Sequence, residues 1–144
     1  MHTPGPSDDD EYRIYWYDGK TIREMGLLRR WPSFPGNGIV YVDDWAGFWK
    51  RMDKYVLNKQ TRKLDHVKQP FYYVGVTGTV DSSIPIYAAT DMKTPVANLL
   101  PKSAVLILLN DGKENYLLKS TTGLVGWVKE DTLNRHFSDL PWAD

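Results

Sequence analysis

The hydrophobic and polar positions of this chain follow two rhythms. From Tyr12 to Tyr17 they alternate, a period of two that sends successive side chains to opposite faces of a strand. Asp18-Gly19 follows, a hairpin signal because both residue types tolerate positive φ, and it predicts a returning strand around 21–28. Residues 31–38 carry Pro32, Pro35, Gly36 and Gly38, too many breakers for regular structure, and Ile39-Val40-Tyr41-Val42 is a short β-rich run. From Trp45 the rhythm lengthens: Trp45, Phe48, Trp49, Met52, Tyr55 and Val56 recur at helical spacing, with Lys50, Arg51, Asp53 and Lys54 between them. Behind Asp43 or Asp44 as a cap, this spacing predicts an amphipathic helix over about 44–57, its aromatic stripe facing the core.

After Pro70 the period of two returns. Strands are expected at Phe71–Val80, at Ile84–Tyr87, before the turn Pro101-Lys102-Ser103, at Ala104–Leu109, at Tyr116–Lys119 and at Val125–Val128. The apolar run Ala104–Leu109 reads as the buried central strand, Pro85 suits an edge, and Lys129-Glu130-Asp131 can make one helical turn before Leu133. Short strands at this spacing predict a small barrel. The expected fold class is therefore α+β: a flexible leader at 1–10, an α+β region at 11–69 with its hairpin and helix, a barrel at 70–135 and a tail at 136–144.

Composition narrows the function classes. Eighteen basic and eighteen acidic side chains cancel, so the overall charge calls for neither nucleic acid nor an anionic membrane. The acidic run Asp8–Asp10 reads as a solvated tail. The basic stretch with Lys59, Arg62, Lys63 and Lys68 reads as a solvated face that extends the helix or links the two halves. Without cysteine there are no disulfides, thiolate metal sites or cysteine nucleophiles, and no apolar run reaches the ~20 residues of a membrane-spanning helix.

Candidate chemistry is sparse. His2, His66 and His136 are not at metal-ligand spacing, Gly36-Asn37-Gly38 lacks the Lys-Ser/Thr of a phosphate loop, and no nucleophile-elbow motif is present. The pairs Asp43-Asp44 and Glu130-Asp131 suit a helix cap and an exposed turn better than an acid and base. The sequence predicts no enzyme, no cofactor and no metal.

One resemblance adds to this reading. Val76, Gly78, Thr79 and Val80, then Pro95-Val96, Leu100-Pro101-Lys102-Ser103, the strand Val105–Leu109 and the closing Gly126-Trp127-Val128 stand in an order that resembles the bacterial SH3-like (SH3b) family, over about two fifths of the chain, Val76 to Leu133. Where many members have Asn-Val-Arg-x-Gly this chain has Ile84-Pro85-Ile86-Tyr87-Ala88, and Asn115-Tyr116 stands where a Trp is frequent. The resemblance implies an SH3-like barrel and a noncatalytic binding module of the bacterial envelope that holds a cell-wall peptide, peptidoglycan or an extended protein segment. It also implies a periplasmic or extracellular location, reached with a signal sequence that this chain does not show; the residues alone leave the cytoplasm open. Tyr87, Tyr116 and Trp127 are the expected aromatic contacts, with Asp91 as their polar partner and packing the favoured role for Trp127. The competing expectation is an immunity or inhibitor protein that blocks a cognate toxin or enzyme.

Overall fold

The structure is a computed structural model that describes residues 2–3 and 10–142. Among them the regular secondary structure is nearly all strand: β1 (His2–Thr3), β2 (Glu11–Tyr17), β3 (Ile22–Arg29), β4 (Trp31–Ser33), β5 (Ile39–Trp45), β6 (Lys50–Asn58), β7 (Lys63–Val67), β8 (Tyr72–Thr79), β9 (Ile84–Tyr87), β10 (Pro95–Leu99), β11 (Ala104–Asn110), β12 (Asn115–Ser120) and β13 (Val125–Lys129). The helix α1 (Glu130–His136) follows. Two compact units divide the described residues, the first built from those within 1–46 and 50–68, the second from those within 47–49 and 69–144.

The expected α+β class, a barrel preceded by an amphipathic helix, is corrected to three antiparallel sheets. Residues expected as a helix over 44–57 form parts of a hairpin in which β5 pairs with β6 from Ile39↔Val56 to Trp45↔Lys50. The apolar spacing mimics a helix because two patterns are spliced at the loop. Gly47, at φ 76°, lies in the left-handed region that ends a right-handed helix, and Phe48 and Trp49 beside it are buried in the second unit. Past the loop the true period is two: Asp53 and Tyr55 pair with Val42 and Val40, and all four share the inner face of the sheet.

In the first unit, β1-β2-β3 and β4-β5-β6-β7 are separate sheets. The Asp18-Gly19 signal does turn β2 into β3, with the Asp18 carboxylate accepting the amides of Lys20 (2.9 Å) and Thr21 (2.8 Å). The sheets share a small core of Leu28, Val40 and Val42, against which Tyr12, Ile14, Tyr55 and Leu64 pack. Of the expected flexible leader, His2 and Thr3 pair with Tyr12 and Glu11, while 1 and 4–9 lie outside the described residues.

The second unit holds one six-stranded sheet in the order β10-β9-β13-β12-β11-β8, with β10 and β8 as edge strands where the sequence predicted a barrel. The run Ala104–Asn110 is paired on both sides, by β12 and β8. Two glycines of this unit, Gly78 and Gly126, are required by space. A Cβ on Gly126 would lie 2.7 Å from Ile86 Cβ, and one on Gly78 would lie 2.8 Å from Leu140 and 2.9 Å from Phe137. Residues beyond α1 are therefore part of the core: Phe137 and Leu140 are buried, Asp81 accepts the Ser138 amide (2.7 Å), and Asp139 accepts the Thr79 amide (2.9 Å). Helix α1 carries Glu130 and Asp131 in its first turn and Arg135 and His136 in its last, the charge order that suits its dipole, and it buries Leu133.

Candidate functional site

Register in the six-stranded sheet separates two neighbouring rows of side chains. Direct cross-strand partners share a face, and adjacent residues of a strand take opposite faces. One row runs Tyr72, Asn110, Tyr116, Val128, and all four are buried. The next runs across all six strands: Tyr73, Leu109, Leu117, Trp127, Tyr87, Pro95. Its four central members are only partly buried, and Tyr73 at one end is 68% exposed.

This outer row forms an apolar and aromatic strip on a hydrogen-bonded platform. Trp127 lies directly across from Tyr87. Phe71, 50% exposed, places its ring 6.1 Å from that of Trp127 at an interplanar angle of 34°. At the β8 edge the Tyr73 ring folds over Gly75, whose φ of 69° marks an irregularity in the pairing with β11; a Cβ there would stand 2.6 Å from the ring. An ion pair 2.9 Å long joins Lys129, at the end of the strand that carries Trp127, to Glu114, just before the strand that carries Leu117. Such a surface offers flat contact area with few rotamers to freeze, the property that lets aromatic residues hold extended chains.

The four residues singled out in the sequence thus take three positions. Tyr87 and Trp127 come together in the strip. Tyr116 is on the opposite face, 3% exposed, with its hydroxyl accepting from Trp49 Nε1 at 3.3 Å and its ring 5.6 Å from Phe48. Burial raises its pKa above the ordinary tyrosine value, and it serves as a core residue. Asp91 lies in the exposed loop after β9, where its carboxylate accepts the Lys93 amide (3.1 Å) and shapes the turn. Phe71, Tyr73 and Leu117 were missed by sequence reasoning, although the alternation from Phe71 to Val74 carried the signal: its odd positions are exposed and its even ones buried.

Elsewhere the titratable groups are tied to structure. His136 Nδ1 lies 2.6 Å from Ser82 Oγ, a pair that joins the end of α1 to the loop after β8; no carboxylate pairs with His136 among the described residues. In the first unit, buried Asp53 accepts from Arg51 Nη2 (3.0 Å) and lies 3.2 Å from His66 Nε2, and the His66 ring is 5.0 Å from that of Tyr55. Among the described residues no group of three His, Cys, Asp or Glu side chains is placed to hold a metal ion. Compared with known proteins, the chain matches no family model, no curated protein and no solved structure.

Proposed function

We propose that the second unit is a noncatalytic binding module that lays an extended cell-wall peptide or protein segment across the strip of Tyr73, Leu117, Trp127 and Tyr87. The observation that carries this reading is the pairing of Trp127 with Tyr87, partly exposed in the middle of a six-stranded sheet and extended by Phe71. The order of motifs from Val76 to Leu133, with its resemblance to SH3b modules, supports an envelope setting and the periplasmic or extracellular location that goes with it. Binding here draws on apolar area, because the strip itself carries no charged side chain.

Sedimentation with purified cell wall tests the reading. The unaltered chain is expected to co-sediment, and Trp127→Ala and Tyr87→Ala to remain in the supernatant while keeping a cooperative unfolding transition. Equal retention of Trp127→Ala and the unaltered chain would sink the proposal. A stable one-to-one complex with a toxin or enzyme, lost in Trp127→Ala and accompanied by inhibition of that partner, would transfer the strip to the inhibitor reading.

A further inference from the structure

The first unit carries a polar concavity, chemically opposite to the apolar strip of the second unit. Its walls are the turn between β2 and β3 and the turn between β6 and β7, and it is lined by Asp18, Arg23, Glu24, Gln60, Thr61, Arg62 and Lys63 around about 640 Å³. The stretch with Lys59, Arg62 and Lys63, which in the sequence reads as an ordinary solvated face, meets Arg23 from a strand about forty residues earlier.

The charges there are unbalanced even though the whole chain is neutral. Both lining carboxylates are already engaged. Glu24 pairs with Arg13 at 3.3 Å; Asp18 accepts two backbone amides and the Thr21 hydroxyl, and its second oxygen is 3.4 Å from Arg62 Nη1. Arg62 is also held over the Trp16 ring, 5.7 Å from its centroid. Arg23 and Lys63 make no ion pair with any described residue, and Lys20 and Lys59 stand on the same two turns without one. The concavity therefore holds two uncompensated cations, a partly shared guanidinium, and the side-chain donors of Gln60 and Thr61.

We infer that this concavity binds a small organic phosphate. The Arg23 fork can meet a pair of phosphate oxygens, the part of the Arg62 guanidinium not engaged by Asp18 can donate to a further one, and the Lys63 ammonium adds a point charge, a set that suits a dianion better than a single carboxylate. The volume is within the range of small-molecule sites and leaves room for an organic group beside the phosphate. Its walls are polar, unlike the apolar strip, so the ligand class differs from that of the second unit.

Amide-resolved NMR titration of the full chain at low ionic strength provides the test, with pyrophosphate as the probe, citrate as the carboxylate comparison and sodium chloride at matched ionic strength as the control. Pyrophosphate is expected to give saturable shifts at Arg23 and Gln60–Lys63, and Arg23→Gln and Lys63→Gln each to weaken it by about fivefold or more. Trp127→Ala should leave the titration unchanged, which keeps this site separate from the strip. Three outcomes overturn the inference: shifts that sodium chloride reproduces, affinities unchanged in both variants, or tighter binding of citrate than of pyrophosphate at the same residues. The variants alter exposed side chains, and their unperturbed amide spectra would establish that any loss is one of binding.

Discussion

The two units are built from the same kind of strand and differ in what lies between the strands. The first encloses Leu28, Val40 and Val42 between small sheets, and much of its order comes from polar devices: the Asp18 turn, the Arg51–Asp53–His66 group and the Arg30–Asp44 ion pair at 3.1 Å. The second contains the largest fully buried side chains, among them Phe48, Phe137, Ile84, Ile86, Ile107 and Leu118. Apolar burial stabilises by roughly 25 cal/mol per Å² and exposed ion pairs by at most about 1 kcal/mol, so the second unit is the more strongly stabilised of the two. A rigid support of that kind suits a sheet whose opposite face is left open, because an exposed aromatic row keeps its geometry only when the row behind it is locked.

The largest effect that separates the units comes from deleting a core side chain in each. Phe137→Ala should cost about 3–5 kcal/mol and Leu28→Ala about 2–3 kcal/mol, read from denaturant midpoints with hydrogen exchange locating the loss in the altered unit. A Phe137→Ala cost no greater than that of Leu28→Ala would break the contrast. Two glycines give the next test. Gly126→Ala forces a Cβ against Ile86 at 2.7–3.0 Å and should destabilise by about 1–3 kcal/mol, while Gly26→Ala in the first unit meets only Leu64 Cβ at 3.8 Å and should be neutral or stabilising by up to about 1 kcal/mol. Equal responses would mean that packing at Gly126 is looser than the contacts indicate.

The smallest effect is electrostatic. The Thr79 amide holds the Asp139 carboxyl below its ordinary pKa. A carboxyl with a depressed folded-state value contributes stability that is present above the unfolded value and is lost as pH falls through the folded one. Acid titration should therefore loosen the 137–140 segment below the ordinary aspartate range, and Asp139→Asn should flatten this part of the stability profile. Because Asp139 is largely exposed, the change is expected to be about 1 kcal/mol or less. An unaltered acid limb in Asp139→Asn would remove the clamp from the account of the second unit.

Legibility in the sequence followed the range of the interactions involved. Where the alternation of two is continuous, as from Tyr12 to Tyr17 and from Ala104 onward, the strands fall close to where the pattern puts them, and Asp18-Gly19 makes its turn by local chemistry. At 45–56 the apolar spacing was compatible with a helix, and only the pairing of β5 with β6 and the positive φ of Gly47 decided against it. The same applies to the candidate residues. That Tyr87 and Trp127 are aromatic strand positions is in the sequence; that they are direct partners, and that Tyr116 is turned to the buried face, depends on register.

By itself, then, the sequence determined the local terms: the strand-forming runs of the second half, the first hairpin, the absence of cysteine chemistry and the neutral overall charge. Tertiary structure alone decided the rest. It chose strand over helix at 45–56, drew Phe137 and Leu140 into the core through the space left by Gly78, and set Arg23 beside Lys63. The physical reason is common to all three. A period of side chains records which faces one segment can offer, whereas burial, cross-strand register and the local excess of charge are set by segments distant in sequence.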